Sequence, residues 1–124
     1  MAAITLLYAQ RMTKPLLIIL LLLPLSARAE GLDSRYWKTL GECSGLYLFG
    51  DSESDQNGYA RITRTMSSES KHLDRNDAFR AGMYFGSEET RVFGFYQTER
   101  TYHADSDYKA HRLKRIIDLG CERF

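Results

Sequence analysis

Two cysteines, three histidines and one acidic run are the side chains here whose spacing invites a chemical reading. Cys43 and Cys121 are 78 positions apart. In an oxidising compartment, two thiols in one small domain pair. Such a bridge would close a loop of most of the chain, worth on the order of 4 kcal/mol in the chain-entropy account. A reactive thiol would instead need a neighbouring His to lower its pKa, and no spacing supplies one. The reading is a Cys43–Cys121 disulfide.

The acidic run from Glu53 carries alternating oxygen ligands, Glu53-x-Asp55-x-Asn57-Gly58, with glycine at the sixth place of a calcium loop. It breaks that pattern twice. Glu stands where the first ligand should be Asp, and Arg64 holds the twelfth place, where a bidentate Glu must close the shell. His72, His103 and His111 have none of the short paired spacings that zinc requires. No metal or cofactor is expected. No Gly-x-Ser-x-Gly elbow, phosphate loop or dinucleotide fingerprint occurs, so the sequence offers no catalytic residues and the chain reads as non-enzymatic.

Lys109, His111, Arg112, Lys114 and Arg115 form a basic run. On a helix, four of them fall opposite Leu113, Ile116 and Ile117, the pattern of a solvated face. Aromatic residues are in excess, with seven tyrosines beyond residue 30. Tyrosine suits interfaces because it offers a large ring with one polar tip. Tyr96 and Tyr102 are the candidate partner-binding residues.

The elements that must position these groups follow an export signal. Arg11 and Lys14 precede ten apolar residues, Leu16 to Leu25. Pro24 breaks that run, and Ala27-Arg28-Ala29 gives the small residues at alternate positions that a signal peptidase needs. The apolar run is about half of the roughly 20 residues needed to span a bilayer. Residues 1–29 are therefore expected to be a cleaved signal peptide, with either Met1 or Met12 as the start, and 30–124 a single domain that is periplasmic or secreted. Losing Arg11, Lys14 and Arg28 takes the 17 basic residues to 14 against 16 acidic ones, a net charge of −2. That balance argues against nucleic acid and anionic lipid as partners.

Within the domain, Asp33 caps a first helix over 33–50, with Tyr36, Leu40, Cys43 and Tyr47 on one face. Gly41 and Gly45, four apart, suggest that another helix packs closely there. Gly50 to Gly58 reads as a loop, and Tyr59, Ile62 and Met66 as a short helix to Ser70. A break falls within 67–77, and Ala78, Phe79, Gly82, Met83 and Gly86 mark a third helix. Residues 90–102 fit either a strand paired with Met83-Tyr84-Phe85 or a helix, and the helical flanks favour helix. Asp105 or Ser106 caps a last helix on which Leu113, Ile116, Ile117 and Gly120 share a face and Cys121 lies at its margin.

The expected fold is all-α, a bundle of about four helices whose first and last members are joined by the disulfide. Phe79 and Met83 are expected in its core. The acidic stretch 51–57 and the aromatic stretch 93–102 are expected to form the exposed surface. The functional expectation is a small exported protein that works by binding another protein, as an inhibitor, immunity protein or adaptor does. Two alternatives are a small enzyme or ligand binder with dispersed site residues, favoured by a deep pocket at His103, Asp105 or His111, and an envelope structural protein held by an uncleaved signal. The sequence leaves oligomeric state open.

Overall fold

A computed structural model describes residues 32–124. The expected signal peptide and its cleavage point lie outside them. The described residues form four helices: α1 (Ser34–Phe49), α2 (Glu53–Ser70), α3 (Arg75–Tyr102) and α4 (Tyr108–Asp118), followed by a 3₁₀ turn at Cys121–Arg123. Among the described residues there is no strand, and no helix is long and apolar enough to cross a membrane.

Each of the first three helices starts on a side-chain cap. The Asp33 carboxylate accepts from the backbone N–H of Arg35 and Tyr36. Ser52 and Asp55 cap one another's backbone reciprocally, a capping box. Asp74 accepts from the N–H of Asp77 at 2.8 Å. Caps of this kind contribute about 1 kcal/mol each.

The capping box moves the start of α2 to Glu53, so the stretch expected as a loop over 50–58 is mostly helix. Gly58 had marked the end of that loop, yet it is a buried position within the helix. It is glycine because the Tyr47 ring lies against it. A Cβ there would sit 2.5 Å from Tyr47 Cδ1. The acidic run therefore winds along a helix and cannot wrap an ion as a calcium loop does.

Helix α3 is one continuous element of 28 residues. The third helix and the stretch 90–102 are thus a single helix, and the hairpin alternative is excluded. Its cap Asp74 sets the break at residues 71–74, within the expected interval.

Helices α1 and α3 run parallel, with Gly41 against Phe85 and Gly45 against Glu89 and Val92. The close approach read from the glycine pair is present. A Cβ at Gly41 would fall 2.8 Å from Phe85 Cα and 2.9 Å from its carbonyl carbon. α2 and α4 run antiparallel to α1 on its other sides. Tyr47 meets Gly58 and Arg61 of α2, while Glu42 and Leu46 meet Arg115 and Arg112 of α4. The result is an up-down-up-down arrangement with α1 at its centre, almost wholly buried from Leu40 to Tyr47.

The core gathers Trp37, Leu40, Leu46, Ile62, Phe85 and Val92. Phe49 closes its lower end, its ring meeting Phe93, Tyr96 and Tyr108. Burying one such large side chain is worth about 1.5–3 kcal/mol.

The staple joins Cys43 to Cys121, with Cα atoms 5.5 Å apart and both residues fully buried. Cys121 sits in the 3₁₀ turn just beyond α4. Gly120, in the left-handed conformation at φ 64°, turns the chain back toward α1. A side chain at that φ is strained, so glycine ends the helix there.

Two expectations about faces are overturned. Phe79 and Met83 are 70% and 57% exposed. The glycine contacts orient α3 so that Ala81, Phe85, Val92 and Tyr96 face inward. On α4, Leu113 and Ile117 are 53% and 72% exposed, and of the expected apolar face only Ile116 is buried. α4 instead turns Tyr108, Arg112 and Ile116 inward, one helical turn apart. Its start is also later than expected, at Tyr108 after Asp107, and no side chain caps it.

Candidate functional site

Five ion-paired or hydrogen-bonded side chains of α3 and α4 come together over α1. Glu42, on the α4 side of α1, is buried although charged. Arg115 donates to it through Nε at 2.6 Å and Nη2 at 3.2 Å. Arg91 reaches it from α3 at 3.5 Å while also donating to Glu88 at 2.7 Å. The Glu88 and Glu42 carboxylates offset the partial burial of both guanidiniums and raise them above the ordinary arginine value. Next to this cluster the Tyr96 hydroxyl and His111 Nδ1 are 2.7 Å apart. Burial, and then the Glu42 charge, push the Tyr96 phenol up.

These groups line a cavity of about 180 Å³. Leu46, Val92 and Tyr96 supply its apolar lining, and the half-exposed Phe95 ring forms one wall. Glu42, Arg91, Arg115 and His111 complete it. Two further depressions adjoin it. One shares Glu42 and Arg115 and extends past Ser34, Arg35, Lys38 and Thr39. The other shares Phe95 and His111 and extends past Glu99, Ser106, Asp107 and Tyr108.

Together they make one groove between α3 and α4, with α1 as its floor. α4, which forms one wall, has 11 residues, so at 1.5 Å per residue the groove is about 16 Å long, and the Tyr96–His111 contact crosses it. The groove exists because α4 is held by its ends and by polar contacts, so its apolar side does not close down on α3. The disulfide lies just beyond the C-terminal end of α4, and Tyr108 packs on Phe49 at the other end.

A second ion pair anchors α4 without entering the groove. Arg112 donates to both oxygens of the buried Asp55, at 2.9 and 3.2 Å, and to the Leu46 carbonyl. Burial alone would raise the Asp55 carboxyl. Hydrogen bonds from Arg112 and Ser52 outweigh it and hold the group below its ordinary value. The basic run expected as a solvated face is mostly exposed, with Arg112 the exception. Arg112 turns inward to Asp55 of α2, while the exposed Arg115 and His111 reach Glu42 and Tyr96, and Lys109 and Lys114 are exposed.

Of the two candidate partner residues, Tyr96 is only 3% exposed and Tyr102 is 76% exposed at the end of α3. They are not one surface. Tyr96 supports the groove from below. His72 follows α2 in a turn, His103 ends α3, and only His111 reaches the groove. Among the described residues, no group of three His, Cys, Asp or Glu side chains is placed to hold a metal.

Ser44 donates to Glu89, but the hydroxyl is fully buried between α1 and α3 where no substrate reaches it. The arrangement can hold a side chain or a peptide segment; it presents no activated nucleophile. Sequence reasoning missed Glu42 and Arg91, and took Arg115 only as part of a solvated face. The available signal was Glu42 itself, a carboxylate within the apolar, glycine-flanked stretch of α1. No family model matches the chain, and no curated protein or solved structure matches it.

Proposed function

We propose that this is a small exported protein that acts, without catalysis, by binding another protein through the groove between α3 and α4. Residues 1–29 serve as its signal peptide and are removed, leaving a periplasmic or secreted domain. The disulfide fits that setting, since such bonds persist where the surroundings are oxidising.

The observation that carries the reading is the groove: an apolar pocket with charged groups on both sides, held open by a polar framework. Interfaces concentrate energy where a partner side chain enters a pocket with an apolar floor and a polar rim. By itself the central pocket, about 180 Å³, is below the roughly 300–1,000 Å³ of sites for drug-sized ligands and takes one large side chain, which supports a protein partner. The pocket reaches His111 but neither His103 nor Asp105, which also weighs against a dispersed active site.

The test is site-specific photocrosslinking in the producing cell. A photoreactive residue at Phe95 should give one discrete protein adduct in the exported fraction. The same residue at Arg64, on the exposed side of α2, should not. Equal adducts from both positions, or an adduct from Arg64 alone, would sink the assignment to the groove. An N-terminus at Met1 or Met12 in a membrane pellet would refute export with cleavage before Glu30.

A further inference from the structure

On one side of the Tyr96–His111 contact, toward the C-terminal end of α3, a depression of about 270 Å³ lies between α3, α4 and the turn that joins them. Its lining is Phe95, Glu99, Ser106, Asp107, Tyr108 and His111. Three of these are rings, two are carboxylates, and none is Lys or Arg. The nearby cations are engaged elsewhere. Arg100 lies over the Phe49 ring at 4.9 Å and donates to Gln97 at 2.6 Å. Lys109 and Arg112 line a different depression beside Phe49 and Leu113, and Arg115 is bound to Glu42.

The walls are fixed by contacts of their own. The Phe95 ring is 49% exposed, edge-on to Tyr96 at 5.0 Å and against His111 at 6.3 Å. Tyr108 is buried against Phe49. The Ser106 hydroxyl donates to Glu99 at 3.1 Å, which ties the turn to α3. Asp107 occupies the N-cap position of α4, where an Asp side chain ordinarily bonds the first N–H groups of the helix. Its side chain makes no capping bond and borders the depression instead.

We propose that this depression binds an organic cation, the side chain of a Lys or Arg residue of the partner protein. This deepens the proposed function and rests on it. With His111 neutral the lining carries two negative charges and no positive one, so its charge complement is a cation. The rings decide which kind. An aliphatic stem lies along Phe95 and Tyr108 while the charged head meets Glu99 and Asp107, and aromatic faces attract such a head through their quadrupole. A calcium or magnesium ion needs about six or more oxygen ligands, and ring faces supply none. Phe95 also walls the pocket assigned to the partner's apolar side chain. A segment seated there brings its neighbouring side chains within reach of the two carboxylates.

Three capped tripeptides test this against the intact, disulfide-bonded protein at about pH 8, where an ordinary histidine is neutral. Their central residues are Arg, Lys and citrulline, the last close to Arg in shape but uncharged. In NMR titrations that follow the ring signals of Phe95 and Tyr108, the Arg and Lys peptides should bind about tenfold more tightly than the citrulline peptide. That is the effect of two exposed ion pairs and one cation–ring contact. The preference should narrow in high salt, where exposed charges are screened. Glu99→Gln/Asp107→Asn, two changes at the rim that should leave thermal unfolding as it is, should abolish the preference. Phe95→Leu should weaken the Arg peptide roughly threefold by removing the ring. The double variant should also cut the yield of the Phe95 photoadduct severalfold.

Equal binding of charged and neutral peptides, binding of none of them, or a preference that survives the double variant overturns the inference. So does an undiminished adduct in the double variant, which would make the ligand a free organic amine and not the partner. If the peptides show no charge preference while the native protein still gives the adduct, the groove reading stands and only the cation site falls. If no adduct forms, the proposed function falls, and the partner named here falls with it.

Discussion

Adding one methyl group should do opposite things at two glycines of this bundle, and that contrast tests the architecture directly. Gly41 is buried against the backbone of α3, while Gly82, within α3, has nothing within 4 Å of where a Cβ would stand. In a helix interior Ala is favoured over Gly by about 1 kcal/mol, so Gly82→Ala should stabilise the domain by roughly that amount. At Gly41 the same gain is opposed. The new Cβ would meet Phe85 Cα at 2.8 Å and its carbonyl carbon at 2.9 Å. Those atoms are backbone and cannot rotate away, so the two helices must separate. Overpacking costs about 1–3 kcal/mol, and a backbone obstacle places this site near the upper end. The net loss is about 2 kcal/mol. For a domain of this size each kcal/mol moves Tm by roughly 4–8 °C. Thermal unfolding followed by circular dichroism should show Gly41→Ala lowered by about 8–16 °C and Gly82→Ala raised by a few degrees. If Gly41→Ala proves neutral or stabilising, α1 and α3 do not approach as described, and the parallel core pair must be abandoned.

Reduction of Cys43–Cys121, or Cys43→Ser with Cys121→Ser, should cost about 4 kcal/mol, as expected for a bridge across 78 positions; urea unfolding with and without reductant measures it, and coincident curves would remove the staple from the account. Asp55→Asn should cost about 3 kcal/mol at neutral pH, because it leaves the buried Arg112 guanidinium facing a neutral amide. The Asp55 carboxyl is held below its ordinary value, so its contribution is fully present above the unfolded value of about 3.9 and is lost as pH falls through the folded one. The gap in Tm between native protein and variant should therefore close in strong acid, and a gap independent of pH would contradict the pairing. Burial, with Glu69 acting on one and Glu42 on the other, raises the phenols of Tyr36 and Tyr96. Their stabilising share is present below the ordinary value near 10 and is lost as pH rises through the folded values. Alkaline absorbance titration should show late-ionising phenols, one of which disappears in Tyr96→Phe; an unchanged titration would place Tyr96 in solvent.

What the sequence made legible was whatever depends on local chemistry. Asp33 caps α1 at the expected place, and the glycine pair at 41 and 45 identifies a close helix contact because no other common residue leaves room for one. The disulfide followed from the expected oxidising compartment and the cysteine number. The α2 boundary was misread because Gly58 resembles loop punctuation. Its reason for being glycine is the Tyr47 ring from another helix, which no local pattern records. The inward face of α3 was misread for a related cause. Phe79 and Met83 are the apolar choice on hydrophobicity alone, but the backbone contacts at Phe85 and Glu89 decide the rotation of the helix, and they turn that pair outward.

The site was harder to read than the fold, because a groove depends on contacts that two helices do not make. α4 could have closed on the bundle through Leu113 and Ile117, and its sequence invites that reading. It is instead rotated so that Arg112 reaches Asp55 and Arg115 reaches Glu42. A buried carboxylate left unpaired costs several kcal/mol, more than the roughly 1.5–3 kcal/mol from burying one leucine or isoleucine. Two carboxylates on α1 and α2 thus outweigh two aliphatic side chains on α4. They hold the helix in the orientation that leaves the half-exposed Phe95 ring at the surface above the buried Val92 and Leu46. The ion pairs then do more than stabilise α4: they keep the proposed binding surface apart. Replacing Glu42 and Arg115 together by Gln and Leu should let α4 roll inward, raising or preserving Tm while abolishing the Phe95 adduct. Retention of the adduct in that variant would show that something other than the Glu42 cluster keeps the groove open.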